Sequence, residues 1–305
     1  MLKMSDQVFN NANRKLMALI KISRPIGWPI VVLVSILCMM TFQVALHNPA
    51  YQVGLHNPGL IGLAILAFFF TAAGGYAIND YVDRESDAIV RPDRPIPSGQ
   101  ITPLGAIQIS MVLFLGGLGV AATINPLALG IAAFATVFLI LYAAFFKRRS
   151  GFISNIVIGL LAGTVITLFS EATALRTVSI ISLCSIGFSL LITGRNVFKD
   201  VAGVEGDIKI GVSSLAIKQG KRTAAKVGVL LCLFAIITSP LPYFVGVVSV
   251  AYLVPIALMS CMIFYVALSI FKKPSAENVK RQLRTFSASE ILIPIALVAG
   301  MFLLR

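Results

Sequence analysis

Long apolar runs recur from residue 26 to the end of the chain, and short polar segments separate them. A helix needs roughly 20 apolar residues to cross the hydrocarbon of a bilayer. The pattern predicts nine spans, near 26–43, 59–79, 104–122, 126–145, 153–170, 175–195, 225–241, 244–270 and 288–304. The seventh and eighth almost touch. Pro240 and Pro242 divide them, because proline lacks the amide hydrogen a helix uses and clashes with the preceding turn. The expected fold class is all-α: a polytopic membrane protein with nine transmembrane helices in a single domain, residues 1–305.

Charge orients these spans. The N-terminal segment falls on one side with the connections after spans two, four, six and eight. Those are the 80–103 segment, "KRRS", the 196–224 segment and "KKPSAENVKRQLR". Of the 25 Lys and Arg residues, 23 lie on that side or at its helix ends, and Arg176 and Arg305 lie opposite. Basic connections stay cytoplasmic, so the N-terminus is expected inside and the C-terminus outside. Fusing spans seven and eight would put the last basic segment opposite the others. The first 25 residues contain an acid and several amides, unlike the compact basic, apolar and small-residue order of a cleaved leader. The first span is expected to remain in the cell (plasma) membrane.

Composition narrows the function classes. The chain is 58% hydrophobic, with a mean hydropathy of +0.92 and 12% charged residues, far from the mix of a soluble domain. Its formal charge of +13 would suit nucleic acid, but the basic residues sit in short connections between apolar runs, so no nucleic-acid partner is expected. Cys38, Cys184, Cys232 and Cys261 all lie inside apolar segments without a CxxC pair. A zinc site or disulfide framework is therefore not expected. His47 and His56 sit in a repeated "LHNP", which reads as paired turns before proline. No obligatory protein partner is evident.

Against this background two acidic stretches stand out. "NDYVDRESD" follows the second apolar run directly. Asn79, Asp83 and Asp87 are spaced i, i+4, i+8 and are expected to share a helix face, with Asp80 joining from the side. Like charges so close repel unless a cation intervenes, and Asp and Asn oxygens suit magnesium. Arg84 lies beside the array. "RPDRPIPSG", with Arg91 and Arg94, follows as a stiff loop. The second stretch is "GRNVFKDVAGVEGDIKIG", where Asp200 and Asp207 are two helical turns apart and Arg195 and Lys199 one turn apart. Each cluster thus combines carboxylates with basic groups at the same membrane face. A paired metal–diphosphate site accounts for this best. A solvated interfacial rim and an ion-transport pathway remain open at this point.

The sequence resembles the UbiA superfamily of intramembrane prenyltransferases. The family's Asn-Asp-x-x-Asp-x-x-x-Asp motif is matched by Asn79, Asp80, Asp83 and Asp87. Asp200 and Asp207 match its second acidic motif, with Gly203 where many members carry an acid. "LYAAFFKRR", with Tyr142 and Lys147, resembles the loop after span four; Asn155 follows, and "ISRPIGW", with Arg24 and Pro25, resembles the entry to span one. The "KD…VEGD" spacing resembles the archaeal ether-lipid and chlorophyll-synthase branches.

The resemblance implies helices around a central cavity, opening toward the cytoplasm, and magnesium-dependent transfer of a prenyl group from its diphosphate. Membrane lipids surround the site, and substrates enter from the bilayer. The expected donor is geranylgeranyl diphosphate and the expected acceptor geranylgeranylglyceryl phosphate. A quinone-type aromatic or chlorophyllide-like acceptor is the alternative. Asn79, Asp83 and Asp87 are expected to hold one magnesium ion, Asp200 and Asp207 the other, and Asp80 to support them. Lys147, Arg84, Arg195 and Lys199 are expected at the diphosphate, with Arg24 and Asn155 as further substrate contacts. Tyr142 is expected to steady the allylic cation or orient the acceptor. A CDP-alcohol phosphotransferase would keep its acids in one motif, and a transporter would carry charge near the middle of several spans. Neither pattern is present.

Overall fold

The computed structural model describes residues 17–23, 33, 36–38, 58–176, 182, 185–209, 211 and 213–302. Every regular element among them is helical. Helix α1 is Pro58–Val90 and α2 is Pro103–Ile124. Helix α3, Pro126–Leu141, continues through a π-helical turn, Tyr142–Phe146, into Lys147–Arg149. Helix α4, Gly151–Leu160, passes through a second π-helical turn, Leu161–Val165, into Ile166–Leu175. Then follow α5, Ile186–Lys209, the short α6, Leu215–Gln219, and α7, Lys221–Thr238. Helices α8, Leu253–Lys272, α9, Ala276–Ser289, and α10, Leu292–Phe302, complete the bundle.

Local sequence sets these boundaries. Thr102 caps α2 by accepting from the Gly105 amide, and Pro103 stands at the first helical position, where its missing N–H costs nothing. Asn125 does the same for α3 through the Ala128 amide, while its Nδ2 donates to Ala172 O at 2.9 Å. One polar side chain thereby ties two helix ends together.

Among the described residues, seven helical stretches are long and apolar enough to cross a membrane. The expected first span lies largely outside those residues, and of the expected sixth only its second half, at the start of α5, is continuously described. Val112, Leu115, Phe234, Ile237 and Val254 are large, apolar and exposed, as outward positions facing lipid would be.

Two buried clusters organise the bundle. One joins α1 to α4 through small residues such as Ala64, Ala67, Ala121, Ala128 and Ala132, which let helices approach closely. The other joins α5 and α7 to α10 through Leu191, Phe198, Ile263, Val279 and Phe286. Helices α4 and α5 connect the two halves. A side chain at Gly163 would come within 2.7 Å of the Ser189 amide nitrogen, so only glycine permits this contact. The Thr164 amide donates to Ser189 Oγ at 2.9 Å across the same seam.

The 272–285 segment differs from the expected polar connection. It forms most of α9, capped by Ser275, with Asn278, Val279, Gln282, Phe286 and Ser289 buried on one face. Its charges masked a helical period: Lys280, Arg281 and Arg284 lie exposed while every third or fourth residue packs inward.

Candidate active site

Helix α1 runs well past its apolar part because nothing breaks it before Pro92, which restricts Arg91 as well. Its last turns therefore carry Asp80, Asp83, Glu85 and Asp87. Carboxylates at a helix C-terminus oppose the helix dipole, and basic groups from elsewhere compensate. Arg94 Nη1 lies 3.2 Å from Asp80 Oδ1 and 2.5 Å from Asp87 Oδ2. The loop after α1 makes this reach feasible. The Ser98 amide bonds to Arg94 O, Gly99 takes the left-handed conformation at φ +72°, and the Ile101 amide bonds to Pro95 O. Ile96 and Ile101 pack against Ala18, Ile22, Ala77 and Ala106. The loop is thus folded back under α1 and presents Arg94 to it.

Lys147 meets the same helix from another direction. Its Nζ donates to Asn79 Oδ1 at 3.2 Å and forms a short ion pair with Asp83. The four expected ligands therefore split into two pairs, a correction to the shared face of Asn79, Asp83 and Asp87. At about 100° per residue, four residues leave Asn79 and Asp83 about 40° apart, and eight turn Asp87 about 80° away. Seven residues bring Asp87 to within about 20° of Asp80, so those two share Arg94.

The π-helical turn Tyr142–Phe146 precedes Lys147. Its wider winding shifts the register of the following residues and carries Lys147 across to α1. On α5, Asp200 accepts a 2.8 Å hydrogen bond from Asn155 Nδ2 of α4. Beyond the apolar part of α5, burial pushes the Asp200 carboxyl up to about 7 despite that bond. Burial also raises Asp207, while the nearby Lys147 ammonium lowers it. Lys147 is thus close enough to act on both acidic clusters, which lie more than 100 residues apart in sequence.

The clusters border a cavity of about 520 Å³. Asn79, Tyr142, Asn155, Asn196, Lys199 and Asp200 supply its polar wall, and Phe68, Ala132, Leu139, Ile158 and Phe169 are among its apolar residues. A second apolar cavity of about 130 Å³ shares Ala162 and Ile166 with it and reaches Phe188, Tyr252 and Leu297.

The other expected site residues are distributed differently. Arg84 turns away from the array, to Glu85 Oε1 at 3.1 Å and over the Tyr81 ring at 4.6 Å. Arg195 donates to Ser287 Oγ at 2.7 Å and stands 3.6 Å from Glu290. Arg24 lies outside the described residues, as do Pro25, Trp28, His47 and His56. Sequence reasoning gave Arg94 no partner and did not single out Asn196, Ser287 or Glu290. The compact "RPDRPIPSG" was the available signal for Arg94; nothing local marked the other three.

Among the described residues, no three His, Cys, Asp or Glu side chains form a metal-holding group. The donors nevertheless fit a hard divalent cation that further oxygens complete. Asn79 and Asp83 already converge on the Lys147 cation. Across from them, half-buried Asp200 takes its hydrogen bond from a neutral donor and its carboxyl stays raised despite the Lys199 charge nearby, so a positive ion there would relieve the burial of its charge.

The profile of the UbiA prenyltransferase family matches residues 38–289. The digeranylgeranylglyceryl phosphate synthase of Methanosarcina mazei is 34% identical over 241 residues, 78% of this chain and 81% of that protein. A solved structure from work on digeranylgeranylglyceryl phosphate synthase in membranes has a TM-score of 0.77 at 29% identity, covering 94% of this chain and 98% of that one. A UbiA homolog from Archaeoglobus fulgidus, bound to GPP and Mg2+, shares the fold with a TM-score of 0.66 at 18% identity, covering 93% and 99%. The matched residues contain both acidic clusters and Lys147, and the chain belongs to the UbiA prenyltransferase family.

Proposed function

We propose that this protein transfers a geranylgeranyl group from geranylgeranyl diphosphate to geranylgeranylglyceryl phosphate, making an ether bond of an archaeal lipid precursor. The observation that carries the reading is Lys147, which bonds Asn79 of the cavity's polar wall, pairs with Asp83 and lies near Asp207 of the other acidic cluster. The similarity to proteins named digeranylgeranylglyceryl phosphate synthase supports the acceptor. The two adjoining cavities offer apolar surface for isoprenoid tails.

In this reading Asn79 and Asp83 hold one magnesium ion and Asp200 and Asp207 a second, with diphosphate oxygens completing both. Magnesium would neutralise the diphosphate and favour its departure. Arg94 keeps Asp80 and Asp87 in place behind the first pair. Asn155 fixes the Asp200 carboxylate, leaving its other oxygen for a ligand. Lys147 stabilises charge on the leaving oxygen. The donor C–O bond breaks, the acceptor hydroxyl oxygen bonds to the allylic carbon, and its proton passes to the departing diphosphate. Tyr142, in the cavity wall, faces the developing allylic cation.

The proposal extends to topology. The chain crosses the plasma membrane nine times as one domain over residues 1–305, with the N-terminus and the diphosphate site on the cytoplasmic side. The 23-to-2 distribution of basic residues supports this orientation. Impermeant labelling of cysteines introduced at residues 80–103 and 272–285 should mark both from the cytoplasmic side.

The acceptor is tested by supplying labelled geranylgeranyl diphosphate to the protein in lipid with a panel of acceptors. Geranylgeranylglyceryl phosphate should give a digeranylgeranylglyceryl phosphate product by mass spectrometry. Transfer only to 4-hydroxybenzoate, a naphthoate or a chlorophyllide would remove the lipid assignment and keep the prenyl transfer.

A further inference from the structure

The polar wall of the large cavity holds positive charge that the acidic clusters do not use. Arg94 is engaged by Asp80 and Asp87, and Lys147 by Asn79 and Asp83. Arg195 and Lys199 form a separate pair one turn apart on α5. Lys199 lines the cavity next to Asn196 and Asp200. Its Nζ has Asn196 Oδ1 at 3.3 Å, and it forms no ion pair among the described residues. Arg195 is braced from the other side by Ser287 at 2.7 Å and Glu290 at 3.6 Å. Its buried Nε is the atom that faces Glu290, as an ion pair too long to be a hydrogen bond.

We propose that Lys199 and Arg195 form a second anion site that binds the phosphate of the acceptor, apart from the diphosphate of the donor. The inference rests on the lipid-phosphate acceptor proposed above. Consecutive residues on a helix point about 100° apart. Asp200 therefore faces Asn155 on α4, while Lys199 faces the flank that Arg195 shares with α9. A diphosphate drawn to Lys147 and the two acidic clusters lies on the first side. An acceptor phosphate brought beside it would be repelled unless it had cations of its own. Lys199 supplies one at the cavity wall, and Arg195, one turn away and held by Ser287 and Glu290, adds its positive charge from behind. Ser287 and Glu290 fix the Arg195 guanidinium, so α9 and the start of α10 act as positioning elements for the acceptor. An aromatic acceptor without a phosphate would have no use for this pair.

The test compares the unaltered protein with Lys199→Gln and Lys199→Arg in lipid, using geranylgeranylglyceryl phosphate and its dephosphorylated alcohol as acceptors. A charge-assisted contact to phosphate is strong enough that its loss should raise the acceptor KM about tenfold or more. The preference for the phosphorylated acceptor should fall by a similar factor, the donor KM should stay within about twofold, and Lys199→Arg should restore most of the preference. Direct binding of the phosphorylated acceptor, measured with chelator and no donor, should weaken in Lys199→Gln while binding of the alcohol does not. Normal transfer with an unchanged preference in Lys199→Gln would overturn this inference alone, and so would a donor KM that rises in step with the acceptor KM. Failure of the unaltered protein to use geranylgeranylglyceryl phosphate would overturn the acceptor assignment and this site with it.

Discussion

The two acidic clusters are alike in composition and opposite in how their charge is met. At the end of α1, Asp80 and Asp87 share Arg94, and Asp83 and Asn79 share Lys147. On α5, Asp200 is met by the neutral carboxamide of Asn155, and burial raises the carboxyls of both Asp200 and Asp207. The first cluster is part of the structure that holds α1, α3 and the loop after α1 in register. The second is held against its own burial and gains most from a cation brought with the donor. A site that must admit a metal-bound polyanion and release it profits from this asymmetry. One wall is complete beforehand, and the other is completed by the ligand.

The comparison breaks most visibly at Arg94. It is largely buried, as are Asp80 and Asp87. Removing one partner of a buried pair leaves uncompensated charge and typically costs about 3–5 kcal/mol. Arg94→Ala should therefore lower the unfolding midpoint in detergent sharply. Adding Asp80→Asn and Asp87→Asn should recover part of the loss without recovering activity. An unfolding midpoint unchanged in Arg94→Ala would remove the structural role assigned to the first cluster.

The second cluster should behave in the reverse way. A carboxyl held up to about 7 by burial costs the fold stability once ionised, and that cost develops as pH rises from the ordinary carboxylate range toward 7. Asp200→Asn removes the charge and keeps the shape. It should lower prenyl transfer by about a hundredfold or more, the scale of several kcal/mol of lost metal-mediated stabilisation. Its unfolding midpoint should stay level or rise. Chelation should mimic the activity loss in the unaltered protein, with magnesium restoring it. If Asp200→Asn instead unfolded like Arg94→Ala, the contrast between the clusters would collapse.

Much of this was legible in the chain. The apolar runs marked the described helices, and the two acidic stretches marked the candidate site, because carboxylates beside membrane helices require a reason to be there; Lys147 was picked out by the family resemblance. What was not legible depends on angle and return path. The i, i+4, i+8 spacing reads as one face only if the drift of an α-helix over two turns is ignored, and that drift sends Asp87 to Asp80. Arg94 reaches back because the loop after α1 folds under it, which its prolines foreshadow without giving a direction. Helix α9 hid behind its charges. Glu290 and Ser287 meet Arg195 across more than 90 residues, a separation over which no local pattern extends.

Gly203 sharpens the comparison with the smallest expected effect. It lies between Asp200 and Asp207, in ordinary helix without a positive φ. A Cβ there would meet the Asp207 carboxylate oxygens at 3.5 and 3.6 Å, an ordinary contact distance. Gly203→Asp should therefore fold, and exchanging a mid-helix glycine for aspartate favours the helix by about 0.3 kcal/mol. The added carboxylate faces Asp207, and the two would share the Lys147 charge, so their repulsion offsets some of that gain when no divalent ion is bound. With magnesium the same charge becomes an additional ligand, and ligand charge tunes affinity for hard cations. The magnesium concentration for half-maximal transfer should fall by about two- to fivefold, with the maximal rate little changed. A titration of activity against magnesium reads this directly. If the variant needed more magnesium than the unaltered protein, or lost activity at every concentration, the second cluster would not be the wall that waits for the metal.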